Sequence, residues 1–233
     1  MNKKFAIIGV ALLVLLFTAQ SFAQYGKFRG TVKYKIEWQG EVSPQAPTTY
    51  EVKVWENSCS MQDISFPLAS MLSNASVPMA WILIDFSMIP VEGVQGKWYI
   101  RSSKEKIAEE QEKVKYTYTG EKKEIAGIAC EKVHVTAQSE DGTVKEEDIW
   151  TSVDFGPETD LTLYTGLKGM PFQYHMEISE NLSGTFTAEE IIEGNVKETD
   201  VLLPTDYEEI TQEDFMDIMS TLQEAMGGGD EDI

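Results

Sequence analysis

Alternation of apolar and polar positions dominates the chain after its first two dozen residues. In Thr31–Trp38 (TVKYKIEW), Val32, Tyr34, Ile36 and Trp38 fall on one face, and Thr31, Lys33, Lys35 and Glu37 on the other. A strict period of two predicts a strand with one dry and one wet face. The period recurs in Tyr50, Val52 and Val54, in Val114, Tyr116 and Tyr118, in Val133 and Val135, and in Phe172, Tyr174, Met176 and Ile178. One-sided strands of this kind build antiparallel rather than parallel sheets. Turn signals separate them: Gly120, Asp141-Gly142, Gly156-Pro157 and Ser183-Gly184. The pattern predicts about seven to ten strands in one continuous curved sheet. Val77–Ile84 is apolar on both faces, so it should be covered twice.

Helical signals are fewer. Ser102–Lys113 holds strong helix formers and i,i+4 charge pairs, with a serine at the N-cap. Ser65–Ala75 sets Pro67 near the first helical position and Leu68, Met71, Leu72 and Ala75 on one face. Near the C-terminus, Thr211 and Asp214 have capping-box spacing, and Phe215, Ile218, Met219, Leu222 and Met226 form an apolar stripe that should pack on the dry face of the sheet. Glycines and acids from residue 227 to 233 predict a disordered tail.

The opening residues follow a different rule. Residues 1–23 carry Lys3 and Lys4, then an apolar run from Phe5 to Phe17, then Ser21-Phe22-Ala23 with small residues where signal peptidase cuts. The run is shorter than the roughly 18–20 residues that span a bilayer. The expectation is a signal peptide over 1–23 cut after Ala23, a periplasmic or secreted protein, and no transmembrane segment after cleavage. With no linker-like stretch inside, residues 24–226 should form a single domain.

Composition changes this picture in one place. The chain has 39 acidic against 19 basic residues and a net charge of −20. That excludes nucleic acid as a natural partner, because phosphate backbones are repelled. The acid is not evenly spread: residues 187–233 hold 15 acids and one base, Lys197. The calcium-loop spacing is missing there, so a solvated edge and helix face explain it better than a cation site.

The stretch Gly120-Glu-Lys-Lys-Glu-Ile-Ala-Gly127-Ile-Ala-Cys130, followed by Asp148-Ile-Trp150-Thr and Gly166-Leu-Lys-Gly169-Met-Pro171-Phe, resembles the GLPGLI family of exported proteins of Gram-negative bacteria and a related domain-of-unknown-function family. Phe172 stands where that family carries a glycine after the proline. The resemblance implies an α+β, mainly β fold similar to the periplasmic lipoprotein carriers (LolA-like): an antiparallel half-open β-barrel with covering helices over an apolar concave face. It implies no established activity. A half-open barrel has an apolar hollow that a lipid or other hydrophobic ligand could share with the helices.

Candidate chemistry is thin. His134 and His175 each face the wet side of a strand, and no HxH, HExxH, Gly-x-Ser-x-Gly or phosphate loop occurs. The expectation is therefore no enzyme, no cofactor and no metal; only His134, His175 and a carboxylate converging in a cleft would revive a hydrolase. Strand parity sets both Cys59 and Cys130 on the outer face, and a disulfide between them and a free pair are equally open. Methionine suits adaptable apolar surfaces, so Met71, Met79, Trp81, Leu83, Met170, Met176, Met216 and Met219 are the candidate ligand-lining residues. The leading expectation is non-covalent binding of a lipid or other hydrophobic ligand in the half-barrel. The alternative is a cell-envelope structural or interaction module that binds a protein partner and no small molecule.

Overall fold

The computed structural model describes residues 28–44, 46–62, 68–74, 77, 79–103, 114–138, 142–153, 166–179 and 181–227. The expected signal peptide, the tail beyond Gly227, and most of the helix expected over Ser102–Lys113 lie outside them; Ser102 itself belongs to a strand. The strands are β1 (Arg29–Gly40), β2 (Thr49–Trp55), β3 (Ser58–Gln62), β4 (Ala69–Asn74), β5 (Met79–Asp85), β6 (Lys97–Ser103), β7 (Val114–Ile125), β8 (Ile128–Gln138), β9 (Val144–Ser152), β10 (Met170–Ser179), β11 (Leu182–Glu193) and the two-residue β12 (Glu208–Glu209). One α-helix among the described residues, α1 (Gln212–Gly227), follows.

All twelve strands form one sheet, in the order β12-β6-β5-β4-β3-β2-β1-β11-β10-β9-β8-β7. Two antiparallel meanders, β1–β6 and β7–β11, are joined where β1 pairs with β11. Only β12 pairs in parallel, with β6. The sheet is antiparallel, as the alternation predicts, and the mainly β, half-open architecture with a covering helix is the fold class that the resemblance implies, with more strands than expected. Among the strands without clean alternation are β3, β4 and β6, which are short, and β12, which has two residues.

Chain length forces the sheet to curl. Laid flat, β6 and β7 would be ten strand spacings apart, about 48 Å. The chain from Ser103 to Val114 reaches at most about 38 Å. The curl brings β7 back towards β11, and the Lys123 Nζ of β7 donates to the Gln173 Oε1 of β10 at 2.6 Å.

The inner face fills with two apolar clusters. The larger holds Val32, Tyr34, Ile36, Tyr50, Val52, Val54, Phe172, Tyr174 and Phe186, all buried. Phe186 stacks on Tyr174 with ring centroids 5.0 Å apart and meets Trp38 and Tyr50 edge-on. The smaller cluster sets Leu222, Phe215, Ile218 and Met219 of α1 against Ala69, Ile84, Trp98 and Ile100 of β4–β6. The capping box holds as the spacing predicts: Asp214 N–H donates to Thr211 Oγ1 at 3.0 Å, and Thr211 N–H donates to the Asp214 carboxylate at 2.8 Å. The Thr211 hydroxyl, which donates to the Asp214 carboxylate at 2.6 Å, and the Thr211 N–H hold that carboxyl below its ordinary value. Thr211→Ala is expected to lower unfolding stability by about 1 kcal/mol, read as a shift of the urea midpoint at unchanged slope.

Several local expectations are corrected. Residues 69–74 form β4, not part of a helix, because both faces of this strand are buried: Ala69 and Ser73 on the inner side, Leu72 on the outer. A doubly buried strand loses its period of two, and Leu68, Met71 and Leu72 then mimic helical spacing. Gly120 is no turn but sits inside β7, at φ +79, where the ladder with β8 slips between Tyr118 and Lys122. Ser183-Gly184 lies within β11, and Gly184 leaves room for the Trp38 ring, whose nearest atom would be 3.0 Å from an added Cβ. Val77–Ile84 does bury side chains on both faces of β5, Ala80 and Ile84 on one and Leu83 on the other.

Candidate functional site

The outer face of β2–β5 carries a groove of about 740 Å³ near the strand ends. β2 contributes Thr49, Glu51 and Lys53, β3 Ser60 and Gln62, β4 Ser70, and β5 Leu83 and Asp85, and at the strand ends the groove also reaches Tyr50 and Ala69, whose side chains belong to the inner clusters. These rows follow from register: Lys53 pairs with Ser60, Gln62 with Ser70, and Ser70 with Leu83.

Loops build the rim. Trp38 Nε1–H donates to Pro47 O at 2.7 Å and Ile36 N–H to Thr48 O at 2.9 Å, which seats Pro47 beside β1. Asp85 N–H donates to Leu68 O at 3.0 Å and fixes Leu68. The Asp85 carboxylate accepts from Ser87 N–H at 3.0 Å and Ser87 Oγ at 2.5 Å, closing the turn that projects Met88, 89% exposed, over the groove. Partial burial pushes the Asp85 carboxyl up, but the Ser87 hydrogen bonds and Lys97 outweigh it, and the net direction is down. Tyr207 closes the far side. Its neighbours hold it: Asp206 pairs with Lys97 at 3.0 Å, Glu209 with Arg101 at 2.5 Å, and Lys97 Nζ sits 5.6 Å from the Tyr207 ring centroid. Part of the C-terminal acid is thereby explained, since it straps the last segment to β6.

Of the eight candidate lining residues, Leu83 alone lines this groove. The others do not share one surface. Met71 lies on the inner face, where it packs against the larger cluster, whereas Met79 and Trp81 share the outer face of β5 with Leu83. Met170 is wholly buried in the larger cluster and Met176 packs against it. Met219 packs under α1, but Met216 is 62% exposed and lies off the apolar stripe. The rim residues Pro47, Met88 and Tyr207 stand outside periodic elements and offer no sequence signal for a site.

The thiols are corrected too. Cys59 and Cys130 are not joined by a disulfide, and both are buried in the larger cluster, not on the outer face. The β2–β3 hairpin pairs Val54 with Cys59, so carrying parity through its two-residue turn inverts the face. In β8, Cys130 and Val133 are both buried although three apart, because alternation breaks where the ladder with β7 slips. Burial pushes the Cys130 thiol up to about 12. The folded protein should therefore resist iodoacetamide at neutral pH, while denaturant should expose two labelled thiols by mass.

The histidines stay apart. β9 lies between β8 and β10, so His134 and His175 are not on neighbouring strands. His134 Nδ1 contacts Asp148 at 2.9 Å, Lys132 pairs with Asp148 at 2.9 Å, and Lys145 pairs with Glu177. The Lys132 and His134 hydrogen bonds hold the Asp148 carboxyl below its ordinary value. This is a lattice of paired charges on a wet sheet face. A second groove of about 560 Å³ beside His175 and Glu177 holds neither thiol nor further histidine. Among the described residues no group of His, Cys, Asp or Glu is arranged to hold a metal ion, and no helix is long and apolar enough to cross a membrane.

No family model and no curated protein matches the chain. Among solved structures, the lipoprotein LppX of Mycobacterium tuberculosis aligns over 78% of this chain and 94% of that one, at 11% identity and TM-score 0.30. No family model thus supports the GLPGLI-like resemblance, and the candidate site rests on its own geometry.

Proposed function

We propose that this is an exported, non-catalytic binding protein that holds a ligand with an apolar body in the groove on the outer face of β2–β5. The observation that carries the reading is the groove itself. Its volume lies in the range of about 300–1,000 Å³ typical of small-molecule sites. Leu68, Leu83, Met88 and Tyr207 offer apolar surface beside hydroxyl, amide and charged groups, the mixture that suits an amphiphile. The inner face, by contrast, is packed: Tyr34, Phe172 and Phe186 are at most 1% exposed. Among the described residues only Glu51, Lys53 and Asp85 carry charge in the lining, with no nucleophile held by a base, which favours binding over chemistry. Export rests on the signal-like residues 1–23.

The test is titration of the purified protein with an environment-sensitive apolar dye. Met88→Asp should weaken binding about tenfold or more, since a carboxylate then sits on the apolar wall. Its unfolding midpoint should be unchanged, because Met88 is almost fully exposed. Equal dye affinity in the two proteins, or no dye binding at all, would rule the groove out.

A further inference from the structure

The groove is not electrically neutral in its pairing. Its two carboxylates each face a lysine outside the lining: Glu51 lies 4.0 Å from Lys33, and Asp85 lies 3.7 Å from Lys97. Lys33 and Lys97 are also shared with Glu190 at 3.1 Å and Asp206 at 3.0 Å. The one cation in the lining, Lys53, has no ion pair or hydrogen bond among the described residues. On β1, Lys35 and Glu37 have the same i,i+2 spacing as Glu51 and Lys53 and meet at 2.8 Å; Lys115 and Lys122 of β7 are unpaired as Lys53 is, but neither lines this groove. In a chain of net charge −20, an ammonium left without a carboxylate beside a groove is a site in want of an anion.

Its surroundings supply the rest of a head-group site. Ser60 stands directly across the ladder from Lys53 and Ser70 lies on the next strand, both in the lining. Their hydroxyls can donate to an oxyanion, and hydrogen bonds with a charged partner exceed neutral ones in strength. Leu83 pairs with Ser70 on the far side, and Leu68 and Met88 lie beyond it at the rim. Asp85 also lines this side, but its carboxylate is engaged by Ser87 and Lys97, so the free cation and the apolar side chains follow one another along the groove.

We infer that the ligand is an anionic amphiphile, with its carboxylate or phosphate at Lys53, Ser60 and Ser70 and its hydrocarbon chain along Leu83, Leu68 and Met88. The inference rests on the groove reading and deepens it.

Isothermal titration with three twelve-carbon probes tests it: laurate and dodecyl phosphate as anions, and dodecyl maltoside below its micelle concentration as a neutral chain. The intact protein, Lys53→Glu and Met88→Asp are compared at fixed salt. Lys53→Glu should weaken both anions about tenfold and leave the maltoside within about twofold, and Met88→Asp should weaken all three. A greater loss of dodecyl phosphate than of laurate identifies phosphate as the preferred head, and the reverse identifies carboxylate. If all three probes bind and Lys53→Glu changes none of them, the anion inference fails and the groove reading survives. If none binds, or Met88→Asp changes none, both fail.

Discussion

Phe186→Ala will remove about 3–5 kcal/mol of unfolding stability, the range for emptying an aromatic site in a packed core. Phe186 is wholly buried and touches three other aromatic rings, on β1, β2 and β10. It sits on β11, the strand that joins the two meanders through β1. Its removal therefore loosens both halves of the sheet at once, and the rings around it have no spare side chain with which to refill the space. The same substitution at Val144, 52% exposed, should cost less than about 0.5 kcal/mol. Chemical denaturation followed by tryptophan fluorescence checks both; a cost below about 2 kcal/mol at Phe186 would mean that the aromatic cluster is not the centre of the fold.

Gly169→Ala carries the second large effect. Gly169 lies at φ +81, a left-handed backbone that costs an ordinary residue about 1–2 kcal/mol. Space is a further obstacle, because an added Cβ would stand 2.0 Å from the Ser152 carbonyl oxygen. The backbone of β9 must then move away from the start of β10, where Thr151 Oγ1–H faces Met170 O at 2.9 Å and Lys168 O at 3.1 Å. The combined loss should be about 2–4 kcal/mol. Gly127→Ala serves as the control. It has a similar φ of +79 with no atom within 4 Å of the added Cβ, so only the backbone term applies. If the two substitutions cost the same, the close approach at Ser152 is not a constraint.

Sheet type was legible from alternation, since β1, β2 and β10 each keep one wet and one dry face. What alternation could not reach were the strands buried twice. β4 and β5 bury Leu72 and Leu83 on the face opposite Ala69 and Ile84, which erases the period and turns part of β4 into an apparent helix. Faces were also lost wherever the ladder slips or turns. Cys130 lies beside a register shift in β7–β8, and Cys59 lies just beyond a two-residue hairpin turn. Helix α1 was readable because its cap and stripe are local, although Met216, a candidate lining residue next to Phe215 on the same helix, is exposed. The groove was the least legible feature. It gathers two to four residues from each of four strands and one from each of four connecting segments, and its cation is notable only for lacking a partner, a property that spacing does not carry.

Methionine-methyl NMR of the whole protein tests the central claim most directly, because the methionines report from both faces. Met88 stands on the outer groove, Met71 on the inner face, Met219 under α1 and Met170 within the core. On addition of laurate, the Met88 methyl should shift and saturate at the stoichiometry of one site, with Met71, Met170 and Met219 unmoved. Shifts at Met71 and Met219 with Met88 unchanged would place the ligand inside the half-barrel and contradict the outer groove.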